Sequence, residues 1–347
     1  MSDKVKVAIV GASGYTGAET MRVLINHPHT EIVALTADRK AGMGIGQVYS
    51  HLEGFGLPDM VKLDEVDWSG IDVAFCCLPH GTSQETIREL PSHLKIIDLS
   101  ADFRFSDVET YAALYGHDHY APELQPEAAY GLTEINREEI AKARLVACPG
   151  CYPTSVQLPL VPLVESGKVL TEDIIIDSKT GVSGAGRAAK EGMLFSEVGE
   201  GIHAYGVATH RHGPEIEQGL GKAAGREVIV NFTPHLIPMN RGILSSIYVK
   251  LAEGESADSL RAHLEAFYQD APFVRIADKG VSPKTRDVRG SNLCVISVFE
   301  DRVPGRVIVL SAIDNLTKGS SGQAVQNMNL MMGIEETTGL NLVPLFP

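Results

Sequence analysis

Val5-Lys-Val-Ala-Ile-Val10-Gly11-Ala-Ser13-Gly14-Tyr15-Thr16-Gly17 decides the fold. The apolar run Val5 to Val10 reads as a buried strand, and a helix from Tyr15 to Asn26 follows it. Glycine at such a junction permits a tight turn and lets a phosphate approach backbone N–H groups. The last glycine allows helix to pack closely on strand. The spacing is GxxGxxG, which an ordinary strand-to-helix turn could also show. Its place directly after the first strand favours a seat for a dinucleotide pyrophosphate, with Gly11, Ser13, Gly14, Tyr15, Thr16 and Gly17 as candidate cofactor contacts.

Outward from this turn the chain alternates strand and helix: Ile32 to Thr36, Val73 to Cys77, a helix from Thr82 to Leu90, then Ile96 to Leu99. That order implies right-handed crossovers and a doubly wound α/β domain with a parallel sheet covered on both faces. Gly42 to Pro58 and Phe103 to Gly131 read as long irregular excursions. After a helix beginning near Pro153, β-rich segments at Ile174 to Ser178, Val228 to Thr233, Leu244 to Leu251, Leu293 to Phe299 and Val307 to Ala312 predict an α+β domain with a mostly antiparallel sheet. A last helix near Ser320 to Ile334 shows Ala324, Val325, Met328, Met331 and Met332 on one face, the pattern of core packing. The expected division is 1–150 with 316–347, and 151–315.

The chain has 347 residues, 44% hydrophobic and 21% charged, enough for two domains with cores of their own. Its 30 Lys and Arg against 44 Asp and Glu give a formal net charge of −14, which argues against nucleic acid or anionic membrane as partners. A local basic patch can still hold a small anion. The first apolar run is too short for a signal peptide or membrane span, and five cysteines at 76, 77, 148, 151 and 294 lack framework spacing. A cytoplasmic location with reduced thiols is expected.

Asp38-Arg39-Lys40 falls near the end of the second strand, where a dinucleotide enzyme reads the ribose. Arg39 and Lys40 suit a 2′-phosphate, so the reading favours NADP over NAD; a solvated charged turn is the alternative. Cys148-Pro-Gly-Cys151-Tyr-Pro-Thr-Ser ends a strand and opens a helix, with Pro153 in the first turn. A thiol there feels the positive helix end and becomes a better nucleophile. Zinc would need two more ligands at paired spacing, and a thioredoxin-like pair would not follow a dinucleotide fold by about 150 residues. Cys151 is therefore read as a single nucleophile.

Its acid or base is sought in Thr209-His210-Arg-His212-Gly-Pro-Glu215, where His210 or His212 could act and the letters alone choose neither. A metal site or a surface helix cap would fit the same cluster, but no metal is expected. Gly181-Val-Ser183-Gly184-Ala-Gly-Arg187 offers N–H donors and a guanidinium for phosphate or carboxylate, Leu99-Ser-Ala-Asp-Phe-Arg104 delivers another cation at a strand end, and Asp314-Asn315-Leu-Thr-Lys318-Gly319 could meet a nicotinamide. Each could instead be a turn closed by a salt pair.

Together these motifs, with Pro234-His-Leu-x-Pro-Met-x-Arg241-Gly242, resemble the N-acetyl-γ-glutamyl-phosphate reductase family of arginine biosynthesis over essentially the whole chain. The wider superfamily includes aspartate-semialdehyde dehydrogenase. The resemblance implies a Rossmann-type domain beside a catalytic and dimerisation domain, in a homodimer or homotetramer. It further implies that Cys151 attacks the acyl phosphate substrate, phosphate leaves, and NADPH delivers hydride to the thioester. His210 or His212 would then handle the proton. On this reading Arg104, Arg187 and Glu215 are substrate contacts, and Ser183, Gly184, Asn315, Lys318 and Gly319 join the cofactor set. Two departures stand out. Cys148 could form an inactivating disulfide with Cys151, and Pro159 and Pro162 should kink or end the helix after the thiol. The same chemistry on a lysine-pathway or aspartyl acyl phosphate, and a non-catalytic dinucleotide sensor, are the rival readings.

Overall fold

A computed structural model describes residues 4–346. The chain divides after Pro149 and after Gly319 into two compact units, and residues from Leu342 onward return to the second. The sequence reading assigned the whole tail to the first unit. In the structure Leu345 N–H donates to the Arg289 carbonyl, which ties the tail to the second.

In the first unit, seven strands among the described residues form one sheet: β1 (Val5–Val10), β2 (Thr30–Thr36), β3 (Met60–Val61), β4 (Val73–Cys76), β5 (Lys95–Asp98), β6 (Ala128–Tyr130) and β7 (Leu145–Ala147). Their order is β3-β2-β1-β4-β5-β7-β6, and every pairing is parallel. All of β4 and most of β1 are buried, as a sheet covered on both faces requires. Helices α1 (Tyr15–Leu24), α2 (Ser83–Glu89), α3 (Val108–Tyr115) and α4 (Thr133–Lys142) belong here. The stretch 103–131 is therefore not irregular, since it holds α3 and β6. Asp107 caps α3 through the N–H groups of Glu109 and Thr110, a local signal for a helix start.

The second unit holds β8 (Ile174–Gly181), β9 (His203–Ala204), β10 (Val230–Ile237), β11 (Ile243–Lys250), β12 (Val274–Ile276), β13 (Cys294–Glu300) and β14 (Arg306–Ile313), with α5 (Cys151–Glu165), α6 (Phe195–Val198), α7 (His212–Ala224) and α8 (Ala257–Phe267). The strand order is β12-β13-β14-β11-β8-β10-β9. The sheet is mixed, because β8 pairs β10 and β12 pairs β13 in parallel while the rest are antiparallel. Helix α7 lies in the crossover from β8 to β10, whereas β12 reaches β13 through a connection whose one helical turn is the 3-10 turn Thr285–Asp287.

Helix α5 runs through Pro159 and Pro162 without ending. The expected break is averted in part by long-range repair: Pro162 cannot donate to the Leu158 carbonyl, and the Tyr268 hydroxyl from the end of α8 donates there instead. Ser155, Ser178 and Ser245 join their hydroxyls beneath α5, Ser245 lying 2.8 Å from Ser155 and 2.7 Å from Ser178. On β11 the residues alternating with Ser245, namely Leu244, Ser246 and Tyr248, are half-buried and point to the face away from α5.

The last helix, α9 (Gly322–Met331), returns to the first unit behind a π-turn at Thr317–Ser321. It is buried almost all round and not only on its methionine stripe. Its polar residues are held by partners: Asn327 accepts from the Thr133 hydroxyl and donates to the Gly131 carbonyl, and Gln326 donates to Glu134. Among the described residues no helix is long and apolar enough to cross a membrane.

Candidate active site

The first-unit turn shows three glycines with different reasons to be glycine. Gly11 has φ +83°, and a β-carbon there would lie 2.6 Å from the Cys77 carbonyl oxygen. At Gly17 a β-carbon would lie 2.8 Å from Ala12 Cα. Gly14 is unlike both, since its nearest atom would be at 3.7 Å, an ordinary contact. The protein itself does not need glycine there. Gly14 caps α1 with no side-chain hydrogen bond, and the first helical turn carries no acid, so its N–H groups suit an anion. The turn is steadied from outside: Ser13 C=O accepts from Tyr49 and Thr16 C=O from Ser321. Tyr15 is exposed at the start of the helix, and Asp38, Arg39 and Lys40 stand exposed just past β2.

Beyond β5 lies a polar centre that sequence reading did not foresee. Asp98 is wholly buried and accepts from the Ser83 and Ser100 hydroxyls at 2.7 Å each. Burial, then the neighbouring Asp102, pushes its pKa up to about 6. Asp102 accepts the N–H groups of Gly81 and Ser83 and the Tyr111 hydroxyl. Arg104 is buried, with Nε donating to the Cys148 carbonyl at 2.8 Å and Nη2 to that of Leu99. Cys148 receives Asn327 Nδ2 at 3.7 Å, and burial pushes its pKa up to about 12. All five cysteines are free thiols, so the disulfide envisaged from sequence is not formed.

In the second unit, Cys151 is the half-buried first residue of α5, with Gly150 as N-cap. A β-carbon on Gly319 would lie 2.8 Å from Cys151 Cβ, so this glycine packs directly on the thiol residue. A β-carbon on Gly150 would lie 2.4 Å from His212 Nε2. The Gly150 N–H donates to Glu215 Oε1 at 2.8 Å. His210 stacks edge-on with Tyr152, Tyr205, Phe232 and His212, and its Nδ1 accepts the His212 N–H at 3.1 Å. In its neutral form the remaining ring proton then sits on Nε2. Burial, then the Arg211 charge, lowers its pKa to about 4. The structure thus gathers Cys151, His210, His212, Glu215 and Gly319.

The turn that carries Gly319 is fixed by Asp314 and Arg241, to which sequence reading gave no role, and by Asn315 and Ser183, which it read as cofactor contacts. Asp314, fully buried, accepts Arg241 Nε at 2.9 Å and the N–H groups of Gly290, Leu316 and Thr317, while Gly319 N–H donates to the Asp314 carbonyl. Asn315 accepts Gly242 N–H and donates to the Ser183 hydroxyl, which donates to the Asn240 carbonyl. Ser183 and Asn315 therefore brace this corner, Gly184 and Arg187 are exposed, and Lys318 is fully buried. The Tyr205 hydroxyl donates to that of Tyr152 at 3.1 Å, a pair not foreseen from sequence. Burial pushes both phenols well above their ordinary range, and each feels the neighbouring Cys151. Arg241 was visible inside a motif, but its partner lies 73 residues away, beyond any local signal. Among the described residues no cluster of His, Cys, Asp and Glu is placed to hold a metal ion.

Residues 6–143 match the semialdehyde dehydrogenase NAD binding domain, and residues 151–315 the semialdehyde dehydrogenase dimerisation domain. The N-acetyl-gamma-glutamyl-phosphate reductase of Rhodospirillum rubrum is 60% identical over the full length of both chains. A probable chloroplastic reductase of that name from Oryza sativa is 57% identical over 99% of this chain and 83% of its own. Among solved structures, aspartate semialdehyde dehydrogenase II from Vibrio cholerae superposes with TM-score 0.73 at 17% identity, covering 95% of this chain and 99% of that one. The enzyme from Candida albicans with NADP gives 0.69 at 16%, covering 95% and 99%. The chain belongs to the semialdehyde dehydrogenase family, in the branch of the N-acetyl-γ-glutamyl-phosphate reductases.

Proposed function

We propose that the chain reduces N-acetyl-γ-glutamyl phosphate to N-acetyl-glutamate 5-semialdehyde and phosphate, as a cytoplasmic step of arginine biosynthesis, through a thioester on Cys151. The observation that carries this reading is the half-buried thiol at the head of α5, packed by Gly319, with the histidine pair against the residues on either side of it, Gly150 and Tyr152. The positive helix end favours the thiolate. Its sulfur attacks the acyl carbon, the C–S bond forms, and phosphate leaves with the C–O bond electrons. When bound, NADPH supplies the hydride that carries the thioester to the aldehyde level. His210 and His212 hold the proton that the developing oxyanion and the departing thiol exchange. His210 enters this cycle neutral, because its burial disfavours the imidazolium at pH 7. Arg104 and Arg187 are assigned to the anionic groups of the substrate, Arg104 already oriented by two carbonyls.

For the cofactor, the N–H groups at the start of α1, where Gly14 leaves room for no more than an ordinary contact, suit a pyrophosphate, and exposed Arg39 and Lys40 suit the extra phosphate of NADP. Ser13, Tyr15 and Thr16 complete that contact set, and Ser183, Gly184, Asn315, Lys318 and Gly319 are assigned to the nicotinamide end. A homodimer or homotetramer would cover the face of the second sheet opposite α5, where Leu244 and Tyr248 stand half-buried in one chain.

The test is the reverse reaction, phosphate with NADP and N-acetyl-glutamate semialdehyde, followed by NADPH absorbance beside aspartate semialdehyde. Turnover of the acetylated aldehyde that vanishes in Cys151→Ser is expected. Preference for aspartate semialdehyde would remove the substrate assignment, and full activity of Cys151→Ser the nucleophile.

A further inference from the structure

Helix α7 brings two side chains to the turn that presents the thiol. His212 and Glu215 are three residues apart in its first turn and share a face. His212 Nε2 fills the space where a Gly150 side chain would stand, and Glu215 Oε1 takes the Gly150 N–H. Glu215 is only 1% exposed. Its backbone carbonyl accepts Gln157 Nε2 at 2.8 Å, from a residue further along α5. Next to that contact α7 carries Gly219, where a β-carbon would lie 2.4 Å from Gln157 Nε2. The two helices thus meet at polar anchors with no room for slippage.

We infer that Glu215 is a positioning residue for Cys151, not a substrate contact: its carboxylate anchors the Gly150 N–H, fixes the direction in which the sulfur leaves the helix, and keeps His212 in register with it. This rests on Cys151 being the nucleophile. The geometry is that of a buried orienting carboxylate whose second duty is to hold one end of α7 against one end of α5. A glutamine can accept the same N–H through its amide oxygen; an alanine cannot. A carboxylate held on the N–H of the residue before the thiol also opposes thiolate formation, so its replacement in Glu215→Gln should move the thiol titration to lower pH.

The experiment compares Glu215→Ala and Glu215→Gln with the parent enzyme in steady-state kinetics and in the pH dependence of Cys151 alkylation by iodoacetamide, read by peptide mass. Expected are a fall in kcat of about 100-fold for alanine with KM for NADPH within about threefold, and recovery to within about tenfold of the parent for glutamine. The alkylation profile of the glutamine variant should shift to lower pH. An alanine variant within about threefold of the parent, or a glutamine variant no better than alanine, overturns the assignment. Should alanine fail to fold, the glutamine profile decides: a shift to lower pH supports the role and an unmoved profile ends it. Activity in Cys151→Ser would instead bring down the nucleophile reading, whatever the Glu215 variants do.

Discussion

The helix that starts at Gly14 and the helix that starts at Gly150 open on the same backbone. Both caps are extended glycines, with φ −84° and ψ 168° at the first, φ −63° and ψ 155° at the second, and neither helix end is capped by its own side chain. At Gly14 a β-carbon would meet nothing closer than 3.7 Å, and the first turn carries no acids. At Gly150 the N–H is taken by Glu215, the space above is filled by His212, and the next residue is a cysteine packed under Gly319. On the proposed function, one helix end would serve a ligand with backbone donors and the other a reaction with a side chain. Binding a diffuse anion tolerates an open surface, whereas aiming one sulfur atom requires neighbours on every side.

The contrast can be broken at several points. Gly319→Ala puts a methyl onto Cys151, and kcat should fall by about 100-fold, a larger loss than the accompanying rise in NADPH Kd measured by fluorescence titration. Gly17→Ala forces helix from strand at the first turn and should lower stability by about 2 kcal/mol in urea unfolding. Gly14→Ala separates space for ligand from space for packing: stability should stay within about 0.5 kcal/mol, while the Kd for NADPH rises about tenfold. An unchanged Kd would remove the pyrophosphate from this turn. Arg39→Ala should reduce the preference for NADPH over NADH by about tenfold in kcat/KM, with NADH turnover little altered.

The smallest expected effect is a pH dependence confined to the second helix end. His210 has its folded pKa lowered to about 4, so between pH 6.5 and pH 4 the unfolded chain binds more protons and stability falls as pH falls. His210→Asn should recover about 1 kcal/mol of that loss, seen as a smaller drop in urea midpoint from pH 7 to pH 4.5. A drop equal to that of the parent would show that the imidazole takes up its proton as readily in the folded protein as in the unfolded chain.

What could be read from sequence was whatever depended on near neighbours. Strand, glycines and helix at residues 5–17, and the thiol before Pro153, are local patterns, and the structure places them as read. The parallel pairing of β8 with β10 was hidden, because it depends on a crossover through α7 rather than on either strand. The survival of α5 past two prolines was hidden because part of the repair comes from Tyr268, 110 residues away. Likewise the braces of the Gly319 corner, Arg241 on Asp314 and Asn315 on Gly242, join segments 73 residues apart. The stretch 103–131 was misread for the opposite reason: its signals were local but masked by aromatic and histidine residues that pack around Asp102, among them Tyr111 and His119.

Helix α9 sets an order of assembly during synthesis. It belongs to the first unit, yet the ribosome makes it only after the whole of residues 150–319. Until it emerges, His27, Thr133, Glu134 and the Thr16 carbonyl lack the partners that α9 and Ser321 provide. All of the second unit except its tail from Leu342 onward is therefore made while the half that begins the chain still waits, glycine turn and all. A nascent chain arrested before residue 320 would carry the complete Gly11–Gly17 motif and all seven strands of its sheet without the helix that partners Thr133, Glu134 and His27.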